Sequence, residues 1–259
     1  MFSGSILVGV ANILRIAFCI EVYLEKDFVP DHKKVYKQEA QNYQRLIARE
    51  DYQENLLPAI REIVDLEYQD VIDLGSGTGR LACLLAPVAK SIFAFDLFPN
   101  MLGVAASRLK KQGSSNWLAA ASDHRQVPLN ADSADLVISG WSFCYLVVWE
   151  EQNWVASLEA GLQEINRLLR DEGTIIIIET LGTGVESPEP PEKLQEYFQY
   201  LERKGFQRVW LRTDYKFQDR EEAVELARFF FGEEMLDKIG NEPQPVLPEC
   251  TGIWWKRKS

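Results

Sequence analysis

Residues 71–85 form a strand–loop–helix segment that carries the clearest chemistry in this sequence. Its β-like run reaches Asp73, and the loop behind it has glycine at alternate positions, namely Gly75, Gly77 and Gly79. Because glycine lacks a Cβ, the backbone can turn sharply there and approach a ligand closely. The helix that follows presents unpaired N–H groups and the positive end of its dipole. This arrangement predicts a loop that binds a small ligand carrying a carboxylate.

The next β-like run supplies a second polar group for the same ligand. It ends in Asp96, 21 residues after Gly75. An acidic side chain at this place can accept hydrogen bonds from both hydroxyls of a ribose, and Leu97 and Phe98 behind it are suited to flanking an adenine ring. The dinucleotide fingerprint G-x-G-x-x-G would require glycine at position 80, where the chain has Arg80. The spacing therefore argues against a nicotinamide-dependent oxidoreductase.

Short β-like runs alternate with helical segments through the rest of the chain, which is typical of a parallel sheet covered on both faces. The β-like runs lie at 71–74, 91–96, 116–121, 134–139, 174–180, 206–215 and 251–256, and the helical segments at 78–90, 99–112, 150–170, 190–204 and 219–239. The sequence predicts an α/β fold, a doubly wound, seven-stranded, mostly parallel sheet with one reversed edge strand and helices on both faces. We expect residues 31–259 to form one domain, with cap elements from 31–66 and 182–239.

Three segments together resemble the class I S-adenosylmethionine-dependent methyltransferases of the Rossmann-like, small-molecule type. They read VIDLGSGTGR, FAFDLFPNML and ASDHRQVPLNADSADLVIS, and the resemblance extends over roughly residues 35–180. It implies that the cofactor is S-adenosylmethionine. It also implies that the reaction is methyl transfer, to an acceptor that the sequence does not identify and that we expect to be a small molecule. The alternatives are a protein or RNA methyltransferase and a non-catalytic regulatory protein that binds the cofactor.

The resemblance also assigns roles to individual residues. Asp73 would hold the amino-acid end of the cofactor, Asp96 the ribose, and Asp123 would lie near the exocyclic amine of adenine. The predicted cofactor-binding residues are Asp73, Gly75, Ser76, Gly77, Gly79, Asp96, Leu97, Asp123, His124 and Ser139. Each acidic residue has a structural alternative, because aspartates commonly cap helices and turns. For His124 the structural interpretation, a histidine that satisfies its own loop, is the stronger one.

The acceptor is expected beyond the fourth β-like run, because ligands of open α/β sheets bind at the carboxyl ends of the strands. Trp141 and Tyr145 lie there and are predicted to line an acceptor pocket. The resemblance implies that the N-terminal helical region closes over the cofactor, so Tyr36 and Tyr43 are predicted to cover its methionine end and to contribute to the substrate site. Core packing is the alternative for all four. The segment lacks the Asn/Asp-Pro-Pro-aromatic tetrapeptide of amino-methylating nucleic-acid enzymes. It also lacks a Pro-Cys nucleophile, so Cys144 is expected to be a core thiol. No catalytic base is predicted.

The charge and the cysteine content of the chain limit the classes of acceptor, metal site and location that we expect. The formal net charge is -11 over 259 residues, and an acidic surface repels phosphate backbones, so a nucleic-acid acceptor is disfavoured. The four cysteines form no C-x-x-C pair and only two histidines are present, so no metal site is predicted. Free thiols favour a reducing, cytoplasmic location.

Residues 5–24 form an apolar stretch interrupted by Asn12, Arg15 and Glu21. These polar residues distinguish it from a clean membrane-spanning helix, and it lacks the basic start of a secretory signal. A packed accessory helix is favoured, and a membrane-surface anchor or an upstream extension of little functional meaning are the alternatives. Residues 1–30 are therefore treated apart from the predicted domain.

Overall fold

The computed structural model describes residues 30–258. The predictions for residues 5–24 and for Cys19 lie outside this range. Within it, no helix is both long enough and apolar enough to cross a membrane.

Helices and strands alternate along the chain as the sequence predicts. The helices are α1 His32–Gln38, α2 Ala40–Ile47, α3 Leu56–Ile63, α4 Arg80–Leu85, α5 Pro99–Gln112, α6 Tyr145–Val148, α7 Trp154–Leu168, α8 Glu192–Arg203 and α9 Arg220–Phe231. The strands are β1 Asp70–Leu74, β2 Ser91–Asp96, β3 Trp117–Ala121, β4 Ala134–Gly140, β5 Leu169–Thr183, β6 Gln207–Arg212, β7 Tyr215–Lys216, β8 Val246–Leu247 and β9 Glu249–Arg257. A 3-10 helix, Glu233–Lys238, follows α9, because Gly232 with φ +96° ends the α-helix between them.

Seven strands form one sheet in the order β3-β2-β1-β4-β5-β9-β6, and β7 and β8 form a separate two-stranded ribbon. The pairs among β1 to β5 are parallel, whereas β9 is antiparallel to both of its neighbours. The predicted seven-stranded, mostly parallel sheet is confirmed. The reversed strand β9 lies one place in from the edge, between β5 and β6.

Strand β5 shows why helices cover both faces of this sheet. Its run of isoleucines alternates between two separate apolar cores: Ile175 and Ile177 belong to one, and Ile176 and Ile178 to the other. Successive strand residues point to opposite faces, so a strand that is apolar at every position requires cover on both. Cys144 lies in the first of these cores, which agrees with the prediction of a core thiol.

The helices before β1 and after β7 pack together over the carboxyl edge of the parallel strands. Asp31 caps α1 by accepting a hydrogen bond from the Lys34 N–H at 3.2 Å, and α1 packs on α2 and α5. Leu46 of α2 is fully buried and lies in one apolar cluster with Leu226 of α9. This packing places α1, α2 and α9 beside the ends of β1, β2 and β4.

Candidate active site

A cavity of about 840 Å³ opens at the carboxyl edge of the parallel strands. Its size falls within the ~300–1,000 Å³ of ordinary small-molecule sites. Most of the predicted site residues line it: Tyr36, Tyr43, Asp73, Gly75, Ser76, Gly77, Asp96, Leu97, Asp123, His124, Trp141 and Tyr145. Because the sheet order is β3-β2-β1-β4-β5-β9, the loops after β1, β2 and β3 line one half. The sequence analysis expects the cofactor there, and we call this part the cofactor half. The ends of β4 and β5 and the start of β9 line the other half, where the acceptor is expected, and we call this part the acceptor half.

The glycine loop after β1 is held against β2 by its own backbone. The N–H groups of Gly75 and Ser76 both donate to the Phe95 carbonyl, at 2.7 and 2.8 Å. Gly75 and Gly77 have φ values of +71° and +53°, in the left-handed region that favours glycine. The Gly77 N–H donates to Asp96 Oδ2 at 2.8 Å. The loop is therefore shaped before any ligand binds.

Gly75 is required for a second reason, the close approach of another loop. A Cβ at this position would lie 1.7 Å from Ser142 Oγ and 2.9 Å from His124 Nε2. The same two side chains hydrogen-bond to each other at 2.9 Å. Burial lowers the pKa of His124 to about 4, so the imidazole is neutral at pH 7. His124 thus hydrogen-bonds to the loop after β4 rather than to its own loop, and it lines the cavity. Ser142, its partner, was not among the predicted residues.

Two residues predicted to bind the cofactor do not line the cavity. Gly79, with φ +81°, caps α4, and a Cβ there would lie 2.9 Å from Ala105 Cβ of α5. This glycine lets α4 and α5 pack together. Ser139 is 1% exposed, because its position in β4 between paired strands buries it. The structure therefore gives these two residues packing positions.

Asp73 and Asp96 act as backbone caps and also face the cavity. The Ala82 N–H at the start of α4 donates to Asp73 Oδ2 at 3.0 Å, while Oδ1 has no partner within residues 30–258. Burial, with the charge of Asp96 nearby, raises the pKa of Asp73 to about 7. Asp96 accepts the N–H groups of Gly77 and Phe98, each at 2.8 Å, and burial raises its pKa. The capping and binding interpretations are thus compatible for both residues.

Asp123 is engaged in an ion pair at the rim of the cofactor half. Arg125 Nε and a terminal nitrogen donate to its two carboxylate oxygens, each at 2.8 Å, and Arg125 also binds Glu150 at 2.6 Å. The hydrogen bonds from Arg125 lower the pKa of Asp123. The group is therefore an oriented, ionised carboxylate at neutral pH.

Aromatic side chains from four helices form one wall of the cavity. The hydroxyls of Tyr36 in α1 and Tyr145 in α6 hydrogen-bond at 2.5 Å, and Trp149 stacks on Tyr145 with centroids 4.4 Å apart. Tyr43 of α2 packs edge-on against Tyr36 at 5.3 Å, and Phe230 of α9 lies 5.5 Å from Tyr43. Three predicted acceptor residues therefore meet in a single cluster. Such a wall excludes water and offers ring faces to a cation.

Trp141 also lies in the cavity, but one face of its indole is already covered. The guanidinium carbon of Arg80 lies 3.9 Å from the ring centroid, and Arg80 binds Glu50 at 2.5 Å. The backbone of Trp141 has φ +49°, an unusual conformation for a bulky residue that is found mainly at functional sites. The sequence showed Arg80 only as the residue that breaks the dinucleotide fingerprint. Its pairing with Glu50 was not predicted.

The sequence analysis also did not identify two buried glutamates of the acceptor half. Glu179 of β5 is 0% exposed and Glu249 at the start of β9 is 2% exposed, and both line the cavity. A charge inside the otherwise apolar run TIIIIET was a signal that could have indicated Glu179. Glu249 follows Pro248 in a turn-like segment, and nothing local marks it. Only the pairing of β9 with β5 brings it to the site.

Comparison with known proteins finds the class of domain that the sequence analysis predicts. Residues 72–177 match the family described as a methyltransferase domain. Among curated proteins, a malonyl-[acyl-carrier protein] O-methyltransferase of Serratia marcescens is 34% identical over 116 residues, which are 45% of this chain and 40% of that protein. The matched region spans 40%, 48% and 21% of the first three curated relatives, so this chain covers half of their length or less.

Solved structures share the fold at low sequence identity. An S-adenosylmethionine-dependent methyltransferase from Aquifex aeolicus superposes with a TM-score of 0.50 at 17% identity, over 88% of this chain and 98% of that one. The [4+2]-cyclase SpnF superposes with a TM-score of 0.53 at 17% identity, over 79% and 80%. A fold therefore does not fix the reaction here. The matched residues and the sheet order confirm the predicted resemblance: residues 72–177 match a methyltransferase domain, and the chain shares the Rossmann-like fold of these solved structures.

Proposed function

We propose that this chain transfers the methyl group of S-adenosylmethionine to a small-molecule acceptor bound in the same cavity. The observation that carries the proposal is the free oxygen of Asp73. A buried carboxylate oxygen without a donor is costly. Asp73 Oδ1 has no donor within the described residues, and Asp73 lines the cavity beside the loop that needs Gly75. The methionine moiety supplies an ammonium for this oxygen, so the residues present fit the cofactor.

The other residues of the cofactor half suit the remaining parts of the same molecule. Asp96 faces the cavity with each oxygen holding one backbone N–H, which leaves further lone pairs for ribose hydroxyls. Leu97 is 49% exposed at the mouth and offers an apolar surface for adenine. Asp123, oriented by Arg125, lies on the loop after β3. These assignments follow the resemblance, and the geometry is compatible with each of them.

When S-adenosylmethionine is bound, its sulfonium supplies an electrophilic methyl group. The residues of the chain would orient the reactants and exclude water. The aromatic wall around Tyr36 and Tyr145 excludes water and presents ring faces, which interact favourably with a positive charge. Holding two reactants in line is worth about 7–11 kcal/mol of the barrier. Proton transfer is needed only if the acceptor must lose a proton. The arrangement therefore supports methyl transfer without a catalytic dyad.

The shape of the cavity favours a small acceptor. It is bounded by α1, α2 and α9, and its aromatic wall brings together Tyr36, Tyr43 and Phe230 from those three helices. A folded macromolecule would have to displace this wall to reach the floor. The net charge of -11 further disfavours RNA. A small molecule is thus the acceptor class that the site accommodates without rearrangement.

Two measurements test the proposal. Calorimetry should detect binding of S-adenosylhomocysteine and none of NAD. Incubation with methyl-labelled S-adenosylmethionine and a fractionated cell extract should place the label in the low-molecular-mass fraction. Tight binding of NAD with no binding of S-adenosylhomocysteine would reject the cofactor, and label confined to protein or RNA would reject the acceptor class.

A further inference from the structure

Arg80 lines the cavity from the start of α4, and one arm of its guanidinium has no partner. Nη1 donates to Glu50 Oε2 at 2.5 Å, whereas Nη2 is buried and has no acceptor within residues 30–258. The indole of Trp141, whose ring centroid lies 3.9 Å from the guanidinium carbon, covers one face of the group. Because a buried N–H group without an acceptor is costly, this arm calls for an oxygen from a bound molecule.

The surroundings of Arg80 belong to the acceptor half. Trp141 follows β4 directly and Glu249 begins β9, and both line the cavity. Arg80 interacts electrostatically with Glu249 and with Tyr215 of β7, which lines the cavity too. The free arm is therefore placed for the acceptor. The methionine carboxylate of the cofactor has the same chemistry, so the second experiment below separates the two sources.

The acidic neighbours of Arg80 do not prevent an anion from binding. Glu50 is already engaged in an ion pair with Arg80. Burial, together with the charge of Glu50, raises the pKa of Glu249, so this glutamate tends to retain its proton at neutral pH. A protonated carboxyl group carries no charge and can donate a hydrogen bond. An ammonium, by contrast, cannot satisfy the free arm of Arg80, because both groups are donors only.

Positive side chains also surround the mouth of the cavity. Lys33, Lys34 and Lys37 of α1 are exposed and line the cavity. The lysines that form ion pairs within the described range are others. Lys33 Nζ lies 4.6 Å from the ring centroid of Trp149, which belongs to the aromatic wall. In a chain with a net charge of -11, such a group attracts anions to the mouth.

The interior favours one negative charge over two. Among the described residues, the cations that line the cavity behind α1 are Arg80 and Arg125. Arg125 is engaged with Asp123 and Glu150, and Arg80 shares its charge with Glu50. A dianionic phosphate would be poorly compensated there. A carboxylate carries a single charge and is a strong acceptor for a guanidinium N–H.

We infer that the methyl acceptor carries a carboxylate group and that Arg80 binds this group through Nη2. The inference rests on the proposed function. Glu50 holds the other arm of the guanidinium and Trp141 stacks on its face, so the free arm is oriented before the acceptor binds. Arg80 thereby selects anionic acceptors over neutral and cationic molecules of the same size.

The first experiment asks which small molecules of a cell extract accept the methyl group. The extract is separated on an anion exchanger at neutral pH, and each fraction is incubated with the protein and methyl-labelled S-adenosylmethionine. We expect the retained fraction to accept label, and to lose this capacity when its carboxyl groups are converted to amides with a carbodiimide and an amine. Treatment with the amine alone is the control and should have no effect.

The outcomes of this experiment separate the inference from the proposed function. Label accepted only by the unretained fraction would overturn the inference and leave methyl transfer to a small molecule intact. Capacity that survives amidation would overturn it as well, since the anion would then not be a carboxylate. Absence of label in every fraction would overturn the proposed function and the inference with it.

The second experiment tests Arg80 itself. Arg80→Lys keeps a charge that can pair with Glu50 but removes the second arm, because lysine has a single nitrogen. We expect the amount of retained fraction that gives half-maximal rate to rise at least tenfold, with affinity for S-adenosylhomocysteine within threefold of the wild type. Arg61→Lys, at an exposed position of α3 outside the cavity, is the matched control and should change neither quantity.

A double variant guards against a loss of folding. Arg80→Met combined with Glu50→Gln removes both charges of the ion pair, so that neither is left buried alone, and it should show the same rise. An unchanged half-saturating amount in these variants, whatever their turnover, would contradict acceptor binding by Arg80. A tenfold fall in affinity for S-adenosylhomocysteine would instead place the cofactor's carboxylate on Arg80 and would also overturn the inference.

Discussion

The Asp96 side chain accepts hydrogen bonds from the backbone and also faces the cofactor half of the cavity, so its removal should lower both the stability of the protein and its affinity for the cofactor. The side chain is 8% exposed and accepts the N–H groups of Gly77 and Phe98 at 2.8 Å each. Asp96→Ala leaves both donors without a partner, one in the glycine loop and one at the start of α5. We therefore expect the variant to fold less stably and to bind S-adenosylhomocysteine more weakly.

The magnitude follows from these two hydrogen bonds. Bonds to a charged group contribute about 1.5–3 kcal/mol each, and the burial that raises the pKa of Asp96 offsets part of this sum. We expect a loss of about 2–4 kcal/mol in the free energy of unfolding. For a chain of this length that corresponds to roughly 4–16 °C in melting temperature. Loss of the ribose contact and of the loop shape should weaken binding by about 1–3 kcal/mol, or roughly 5- to 150-fold.

Thermal unfolding and calorimetry on the same preparations measure both effects. Asp171→Ala, at an exposed position, is the control and should change neither quantity by more than about 0.5 kcal/mol. Asp96→Asn keeps one acceptor oxygen and should fall between the wild type and Asp96→Ala. If the melting temperature falls but affinity is unchanged, Asp96 is a cap only. If neither changes, the reasoning from the two hydrogen bonds is wrong.

Three further predictions concern other parts of the cavity. In Gly75→Ala the new Cβ would lie 1.7 Å from Ser142 Oγ. The variant should show no detectable binding of S-adenosylhomocysteine in calorimetry, and its free energy of unfolding should fall by more than about 2 kcal/mol. The control is Gly113→Ala, where φ is +84° but the space around the Cβ is open, and it should lose only about 1 kcal/mol. Because the pKa of Asp73 is about 7 in the unliganded protein and its carboxylate form binds the ammonium, affinity for S-adenosylhomocysteine should rise up to tenfold per pH unit below pH 7 and level off above it. A flat profile, or the same slope in Asp73→Asn, would contradict this. Trp141→Ala should lower turnover at least tenfold with cofactor affinity within threefold, since the indole supports the Arg80 side chain, and equal losses in both would place it in the cofactor half instead.

The cofactor half could be predicted because its chemistry is local. A buried strand, a loop with alternating glycines and a helix start lie within residues 71–85, and the same stretch forms β1, the loop and α4. The left-handed φ values at Gly75 and Gly77 are the physical reason for the pattern. The number of strands and the parallel core of the sheet could also be predicted, because they follow from the alternation of strands and helices along the chain.

Trp141 and Tyr145 could be placed in the acceptor half because they follow β4 directly, but the charged contacts of this half could not be predicted, because they join distant parts of the chain. Arg80 meets Glu50 across 30 residues, and Glu249 meets Thr180 across 69. Local composition gives no hint of such pairs, since each depends on how β9 registers with β5 and how α2 packs. The same holds for Ser142, which covers Gly75 only because the loops after β1 and β4 are neighbours in space.

Three buried carboxylates around this cavity share one arrangement, and that arrangement bears on the ligands. Asp73, Glu179 and Glu249 each have one oxygen bound by a protein donor and the other without a partner within the described range. The hydrogen bond to one oxygen fixes the orientation of the carboxylate, so the other oxygen is already oriented before a ligand binds. Such groups lower the stability of the unliganded protein, because each must either retain a proton or bury a charge. A positive group that binds beside such a carboxylate offsets this cost, and the proposed cofactor supplies one at Asp73, where its ammonium would meet the oxygen that has no protein donor.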